Sequence, residues 1–154
     1  RIEEMVRELS KDWAVKPLIV TGDEAKWDAF ARADAALAAS GTVSLELALS
    51  HIPTVLSYKA DWFARQFLIS RITIWSAALP NIIADQPVVP EFFNESVRPG
   101  NLARYIEQLL LKSASRQAQI DGFDKVTKIM ATDRPSGEIG AGVLLDLAEN
   151  GRKR

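Results

Sequence analysis

The sequence contains no cysteine, which excludes disulfide scaffolds, cysteine-ligated zinc and thiol nucleophiles. The chain has a single histidine, His51, which excludes a metal site built from several histidine ligands. An excess of positive charge is also missing. The 19 basic and 20 acidic residues give a formal net charge of −1, so composition predicts no nucleic-acid partner. The longest uncharged stretch, residues 72–84, contains Pro80 and is shorter than the roughly 20 residues of a membrane-spanning helix.

What remains is an ordinary globular composition. The chain has 154 residues, of which 47% are hydrophobic and 25% charged, and this length suits one domain with a core of its own. The chain begins at Arg1 and enters a helical pattern at once, which predicts a piece of a longer protein. We expect a single partial domain over residues 1–154, in which residues 113–154 form a C-terminal helical extension. The lack of cysteine fits a reducing compartment.

Short apolar runs alternate with segments of helical spacing along the chain. The runs predict strands at residues 18–20, 35–39, 54–58 and 72–75. The spacing predicts helices at residues 2–9, 24–32, 43–49, 101–112, 113–130 and 136–149, and one capped by Asp61 that carries Trp62, Phe63, Phe67 and Leu68. The 35–39 run is apolar throughout, as in strands buried on both faces of a parallel sheet. This order predicts an α/β layered domain with a mostly parallel sheet, in which Leu144, Leu145 and Leu147 belong to the core.

Ligands of open parallel sheets bind beyond the carboxyl ends of the strands, next to helix N-termini. Of the turns there, Ser40-Gly41-Thr42 is the most informative, because small residues let the backbone approach a ligand. The free N–H groups of the following helix favour a phosphate. Glu46 lies four residues after Thr42 on the same face, as a carboxylate facing ribose hydroxyls would. A plain capped helix with a solvated glutamate explains the same spacing.

An ordered set of motifs resembles the donor domain of lipid-A-disaccharide synthases. The segments are 39–49 (Ala-Ser-Gly-Thr-Val-Ser-Leu-Glu-Leu-Ala-Leu), 52–58 (Ile-Pro-Thr-Val-Leu-Ser-Tyr), 79–84 (Leu-Pro-Asn-Ile-Ile-Ala) and 89–95 (Val-Pro-Glu-Phe-Phe-Asn-Glu). The Ser-Gly-Thr turn with its glutamate is shared by several UDP-sugar enzymes, whereas the Leu-Pro-Asn and Val-Pro-Glu elements are more specific. The resemblance implies a Rossmann-like domain, the C-terminal half of a GT-B glycosyltransferase.

The resemblance also implies an activity. Such enzymes transfer 2,3-diacylglucosamine from its UDP derivative to 2,3-diacylglucosamine 1-phosphate with inversion, without a cofactor, at the cytoplasmic side of the inner membrane. Carried over by position, Ser40, Gly41 and Thr42 would face the diphosphate, Glu46 would face the ribose, and Asn81 would lie near the donor site. The catalytic base is expected in the facing N-terminal domain, which is outside this chain.

Two further expectations follow from the resemblance. Uracil would lie near Thr21 and Gly22, while Glu91 belongs to a motif without an assigned role. The family's donor domain opens with a strand and a Gly-Ser-Arg turn, and this chain starts beyond them. We therefore expect two early strands to be missing and apolar surface to be exposed, which favours a homodimer.

Alternatives remain at several points. The chain could be a non-catalytic interaction module that self-associates through the Trp62–Trp75 surface, or another UDP-sugar enzyme of the same fold. The aromatic helix after Asp61 suits core packing, or peripheral contact with a membrane surface. His51, at a helix exit, is interpreted as a surface residue rather than a catalytic base.

Overall fold

The computed structural model describes residues 2–39, 41–59 and 75–150. Within them, α1 (Ile2–Ser10) and α2 (Asp23–Phe30) precede β1 (Ala36–Ala38), α3 (Thr42–Leu49) and β2 (Thr54–Tyr58). There follow α4 (Leu79–Ala84), β3 (Glu91–Phe93), a 3₁₀ helix (Asn94–Ser96), α5 (Pro99–Leu110), α6 (Ala114–Met130) and α7 (Ser136–Asn150). Apolar residues at helical spacing are clearest in α1 and α5, and the bounds of the predicted helices that are described agree with the structure to within a few residues. No helix in the described part is both long and apolar enough to cross a membrane.

The strands form one parallel sheet in the order β1-β2-β3. Ala36 pairs with Thr54 on one side of β2, and Leu56 pairs with Glu91 on the other. Because β3 begins two residues further along β2 than β1 does, the start of β2 has no strand neighbour on the β3 side. The predicted α/β class with a parallel sheet and C-terminal helices is confirmed, and the arrangement is Rossmann-like.

The core lies between the sheet and α6. Ala48 of α3, Leu56 of β2 and Phe123 of α6 are fully buried and pack with Ala78 and Val89. The long helix α6 contacts α3, α4 and α5 as well, so one helix joins most of the structure. This arrangement aligns the strand ends and the start of α3 along one edge of the sheet.

A side-chain amide completes the sheet where β3 is too short. Gln119 of α6 is 3% exposed, and its oxygen accepts a hydrogen bond from the backbone N–H of Thr54. Its Nε2 donates to the carbonyl oxygens of Thr54 at 3.1 Å and Val88 at 3.3 Å. The amide thus takes the place that a neighbouring strand would have, and it attaches α6 directly to β2.

Three predictions about strands and core are wrong. Residues 18–20 form no strand, and Leu18 and Val20 are exposed, because no described strand lies beside them to pair with. The strand at 35–39 exists as β1 but is not buried on both faces: it is an edge strand of the described sheet, and Leu37 is 52% exposed. The predicted core leucines Leu144, Leu145 and Leu147 are exposed, since α7 buries no residue.

The segment around the prolines is more regular than its composition suggests. It holds α4, β3 and the 3₁₀ helix, where the sequence indicated only a turn and a connection. The predicted strand at 72–75 falls mostly outside the described residues, and so does the whole helix capped by Asp61. Trp75, the last residue of that strand, is described as a bend and is exposed.

Candidate functional site

The turn between β1 and α3 depends on a glycine. Gly41 has a φ of +116° and a ψ of −160°, a conformation that residues with a Cβ rarely adopt. Apart from its two chain neighbours, no atom of the described residues lies within 4 Å of the place where a Cβ would stand, so conformation rather than crowding requires glycine here. Gly41 and Thr42 are both exposed, and Ser40 lies outside the described residues. The turn is therefore open to a ligand at the carboxyl end of β1.

The start of α3 has donors available for an anion. The first two N–H groups of α3, those of Thr42 and Val43, have no acceptor within the helix, and Gly41 at the cap has no side chain that could accept from them. Ser44 does not cap them either, because its N–H and its hydroxyl both donate to the carbonyl oxygen of Gly41, at 3.1 and 2.8 Å. The helix dipole adds to the attraction for a negative group.

Glu46, one turn into α3, has a cationic partner that its sequence spacing did not reveal. The Nζ of Lys26 on α2 lies 3.1 Å from each carboxylate oxygen of Glu46. The same ammonium group is 3.4 Å from Asp23 and 4.6 Å from the centre of the Trp27 ring. Glu46 raises the pKa of Lys26 above its usual value of 10.5, mainly through this hydrogen bond. The predicted ribose-binding carboxylate is therefore held from α2, the helix that follows the Thr21–Gly22 loop.

Asn81 of α4 is 2% exposed, and its amide is fully engaged inside the protein. Its oxygen accepts from the backbone N–H groups of Val88 and Val89, at 2.9 and 2.7 Å. Its nitrogen donates to the carbonyl of Val89 at 2.9 Å and to Glu91 at 3.1 Å. These bonds leave the amide of Asn81 without a hydrogen-bonding group aimed at solvent, and they hold α4 to the start of β3.

Glu91, the motif residue without an assigned role, gathers three donors. Its carboxylate accepts from the hydroxyl of Ser76, from the N–H of Ala77 at 3.1 Å and from Asn81. The carboxylate thereby ties the segment before α4 to β3. This role could not be read from the sequence, because the three donors are 10 to 15 residues away along the chain.

Aromatic rings lie where β2 and β3 end. The rings of Tyr58 and Phe93 stack at 4.6 Å with an angle of 11° between their planes. These residues are register partners at the carboxyl ends of the two strands. The pair adds an apolar surface to the sheet edge at which α3 begins.

His51 lies at the other end of α3, away from the candidate site. With a φ of +55° it takes the left-handed position after the helix, and its N–H and that of Ile52 donate to Ala48 and Leu47. Its ring Nε2 is 2.9 Å from Asp124 of α6, and the side chain is partly exposed. These contacts agree with the interpretation of His51 as a surface residue. In the described part of the chain, His, Asp and Glu side chains form no cluster that could hold a metal ion.

Comparison with known proteins gives a consistent result. A sequence model described as lipid-A-disaccharide synthetase matches residues 1–136. The chain is 39% identical over 147 residues to a lipid-A-disaccharide synthase of Nitrobacter winogradskyi, covering 92% of this chain and 36% of the relative. The corresponding protein of Bradyrhizobium diazoefficiens is 38% identical over 153 residues, covering 99% of this chain and 39% of the relative. The chain thus spans little more than a third of the length of these curated relatives.

Proposed function

This chain belongs to the lipid-A-disaccharide synthetase family, and from that membership we propose that it is the donor-binding part of a glycosyltransferase. The proposed reaction transfers 2,3-diacylglucosamine from its UDP derivative to 2,3-diacylglucosamine 1-phosphate. It forms a β-1,6 disaccharide, inverts the anomeric centre and releases UDP. The curated relatives carry the name of lipid-A-disaccharide synthase, and this name supports the reaction class.

The observation that carries the proposal is the uncapped start of α3 at the carboxyl edge of a parallel sheet. Gly41 provides no side chain to cap the N–H groups of Thr42 and Val43, and the exposed residue Thr42 adds a hydroxyl beside them. When the bond to the anomeric carbon breaks, negative charge develops on the leaving UDP, and fixed donors stabilise that charge without a metal ion. In comparable sites the loss of one such donor raises the barrier by about 3–4 kcal/mol.

Each predicted site residue then has a task. Gly41 and Thr42 would bind the diphosphate, together with Ser40, which is outside the described residues. Glu46 would accept hydrogen bonds from the ribose hydroxyls. Asn81 would act near the donor by positioning, since its buried contacts to Glu91 and β3 hold the neighbouring segment in place. The base that activates the acceptor hydroxyl would come from the part of the enzyme that this chain does not contain.

The location and assembly of the enzyme are part of the same proposal. A lipid donor and a lipid acceptor require the enzyme to work at a membrane surface, and we propose a peripheral position on the cytoplasmic side of the inner membrane. A homodimer would cover apolar side chains such as Leu37 and Leu144, which are more than half exposed. Uracil would lie near the Thr21–Gly22 loop.

A titration with UDP, followed by amide NMR, tests the donor site. We expect shifts concentrated at residues 41–46 and in the Thr21–Gly22 loop. Thr42→Val removes one hydroxyl and should weaken binding, whereas Thr132→Val, at an exposed position whose hydroxyl bonds to Arg134, should leave it unchanged. Well-dispersed spectra that do not respond to millimolar UDP, or shifts centred elsewhere, would contradict the proposed site. Self-association through the Trp62–Trp75 surface without any response to UDP would instead favour an interaction module.

Activity can be tested in a chimera. In it, this chain replaces the matching segment of the Nitrobacter winogradskyi relative, which supplies the remaining part of the enzyme. We expect the chimera to form the acylated disaccharide and UDP, and Glu46→Gln to lower kcat/KM for the UDP donor. If the chimera binds UDP but forms no disaccharide from these two lipids, the substrate assignment is wrong.

A further inference from the structure

We propose that Lys26 is a positioning residue that holds the Glu46 carboxylate in the orientation needed to bind the two hydroxyls of a nucleotide ribose. The proposal rests on the proposed function, because it assumes that a uridine nucleotide binds at the start of α3. It adds to the donor site a residue from a different helix, twenty positions earlier in the chain.

The contact geometry is that of a clamp. The Nζ of Lys26 lies at the same distance, 3.1 Å, from both oxygens of Glu46, so the carboxylate cannot rotate without losing one contact. Asp23 at 3.4 Å takes a third contact, and the Trp27 ring lies 4.6 Å from the ammonium group. An ammonium group has three N–H donors, and here three carboxylate oxygens lie around it, two from Glu46 and one from Asp23. Lys26 is therefore itself fixed, as a positioning residue must be.

The clamp leaves Glu46 able to bind a ligand. An ionised carboxylate has about four acceptor positions, two on each oxygen. Lys26 uses one on each oxygen, so each oxygen keeps one for another donor. Two vicinal hydroxyls, as in the 2′ and 3′ positions of ribose, match two free acceptors on one carboxylate. The lysine also neutralises a carboxylate that would otherwise repel the nearby diphosphate.

A merely structural role makes a different prediction. If Lys26 only docked α2 onto α3, its loss would weaken every nucleotide to the same extent. If it orients Glu46 toward both hydroxyls, its loss weakens a ribonucleotide more than a nucleotide without the 2′-hydroxyl, which has only its 3′-hydroxyl contact to lose. The ratio of the two affinities therefore separates positioning from docking.

The experiment measures the affinity of this chain for UDP and for 2′-deoxy-UDP by calorimetry. The variants are Lys26→Met, which removes the charge at similar length, and Lys26→Arg, which retains it. Lys128→Met is the control. Lys128 is an exposed residue of α6, and it lies one helical turn after Asp124, which contacts His51 at the end of α3 that is away from the candidate site. Amide spectra of each variant establish that the fold is intact.

We expect the unchanged chain to prefer UDP and Lys26→Met to reduce this preference about tenfold, as the loss of a hydrogen bond to a charged group does. Lys26→Arg should restore most of the preference, and Lys128→Met should keep all of it. A full preference in Lys26→Met would overturn the proposal for Lys26 and leave the donor site standing. Failure of the unchanged chain to bind UDP would overturn the donor site and, with it, the role of Lys26.

Discussion

Replacing Gln119 by methionine should destabilise this fold more than any surface substitution on the same helix. The side chains have similar length and volume, so the change removes hydrogen bonds without leaving a large cavity. In the native structure the Gln119 amide serves the N–H and the carbonyl of Thr54 and the carbonyl of Val88. Thr54 is 1% exposed, so water cannot replace the lost partner of its N–H.

The size of the effect follows from these groups. A buried donor without an acceptor costs about 1–3 kcal/mol, and two carbonyls lose a donor in addition. The burial of an apolar side chain offsets part of this cost, which leaves an expected loss of about 2–4 kcal/mol. A domain of this size is stable by roughly 5–15 kcal/mol, so the variant should still fold and the loss should be measurable.

The assay is urea denaturation followed by circular dichroism at 222 nm. Gln117→Met is the matched control, because Gln117 is an exposed residue of α6 whose amide bonds to Asp121 within the helix. The control should change the free energy of unfolding by less than about 0.5 kcal/mol. If Gln119→Met costs no more than the control does, the amide does not complete the sheet and the reasoning is refuted.

Three other predictions follow from named contacts. Gly122→Ala should destabilise the fold by about 1–2 kcal/mol despite the better helix propensity of alanine, because the new Cβ would stand 2.5 Å from a methyl group of Val88. In a Val88→Ala background, which removes both methyl groups and leaves only the Cβ of residue 88 at 3.2 Å, the same change should cost less, and equal effects in both backgrounds would exclude this clash. Asn81→Ala should lower the free energy of unfolding by about 2–4 kcal/mol, since it leaves the N–H groups of Val88 and Val89 without an acceptor and removes one of the three donors of Glu91; an effect as small as that of exposed Asn101→Ala would contradict the buried network. Because the pKa of Lys26 is raised, the unchanged chain should be more stable than Lys26→Met, with the full difference in free energy of unfolding below about pH 10.5. This difference should disappear as the pH rises through the folded-state pKa of Lys26. Denaturation curves from pH 7 to 11.5 check this, and a difference already lost at pH 9 would be inconsistent with the shift.

Local signals were sufficient for the described helices other than α4 and the 3₁₀ helix, and for the turn before α3. The start of α3 could be predicted because a small-residue turn with a glycine separates a short apolar run from a segment of helix-forming residues. The run at residues 18–20 has the same β-branched character as a true strand, yet it forms none. A strand exists only through its neighbours, and nothing within the run itself indicates whether a neighbour is present.

The opposite error occurred at β3. Its residues, Glu91–Phe93, follow a proline and include a charged side chain, both of which are unfavourable in strands. The pairing with β2 and the donors around Glu91 outweigh these preferences. Lys26 could not be predicted for a related reason, because its partner is on another helix and no fixed spacing connects the two.

The attachment of α6 has a consequence for changes in chain length. Gln119 forms hydrogen bonds with the start of β2, and Gly122 packs against Val88. These two contacts are less than one helical turn apart, and together they fix the position of α6 along its axis and its rotation about that axis. A residue inserted between them would turn everything that follows by about 100° and bring Phe123 and Val126 out of the core. Residues 131–135 are exposed and carry no such constraint. Insertions and deletions in natural versions of this domain should therefore gather in that loop and avoid the middle of α6.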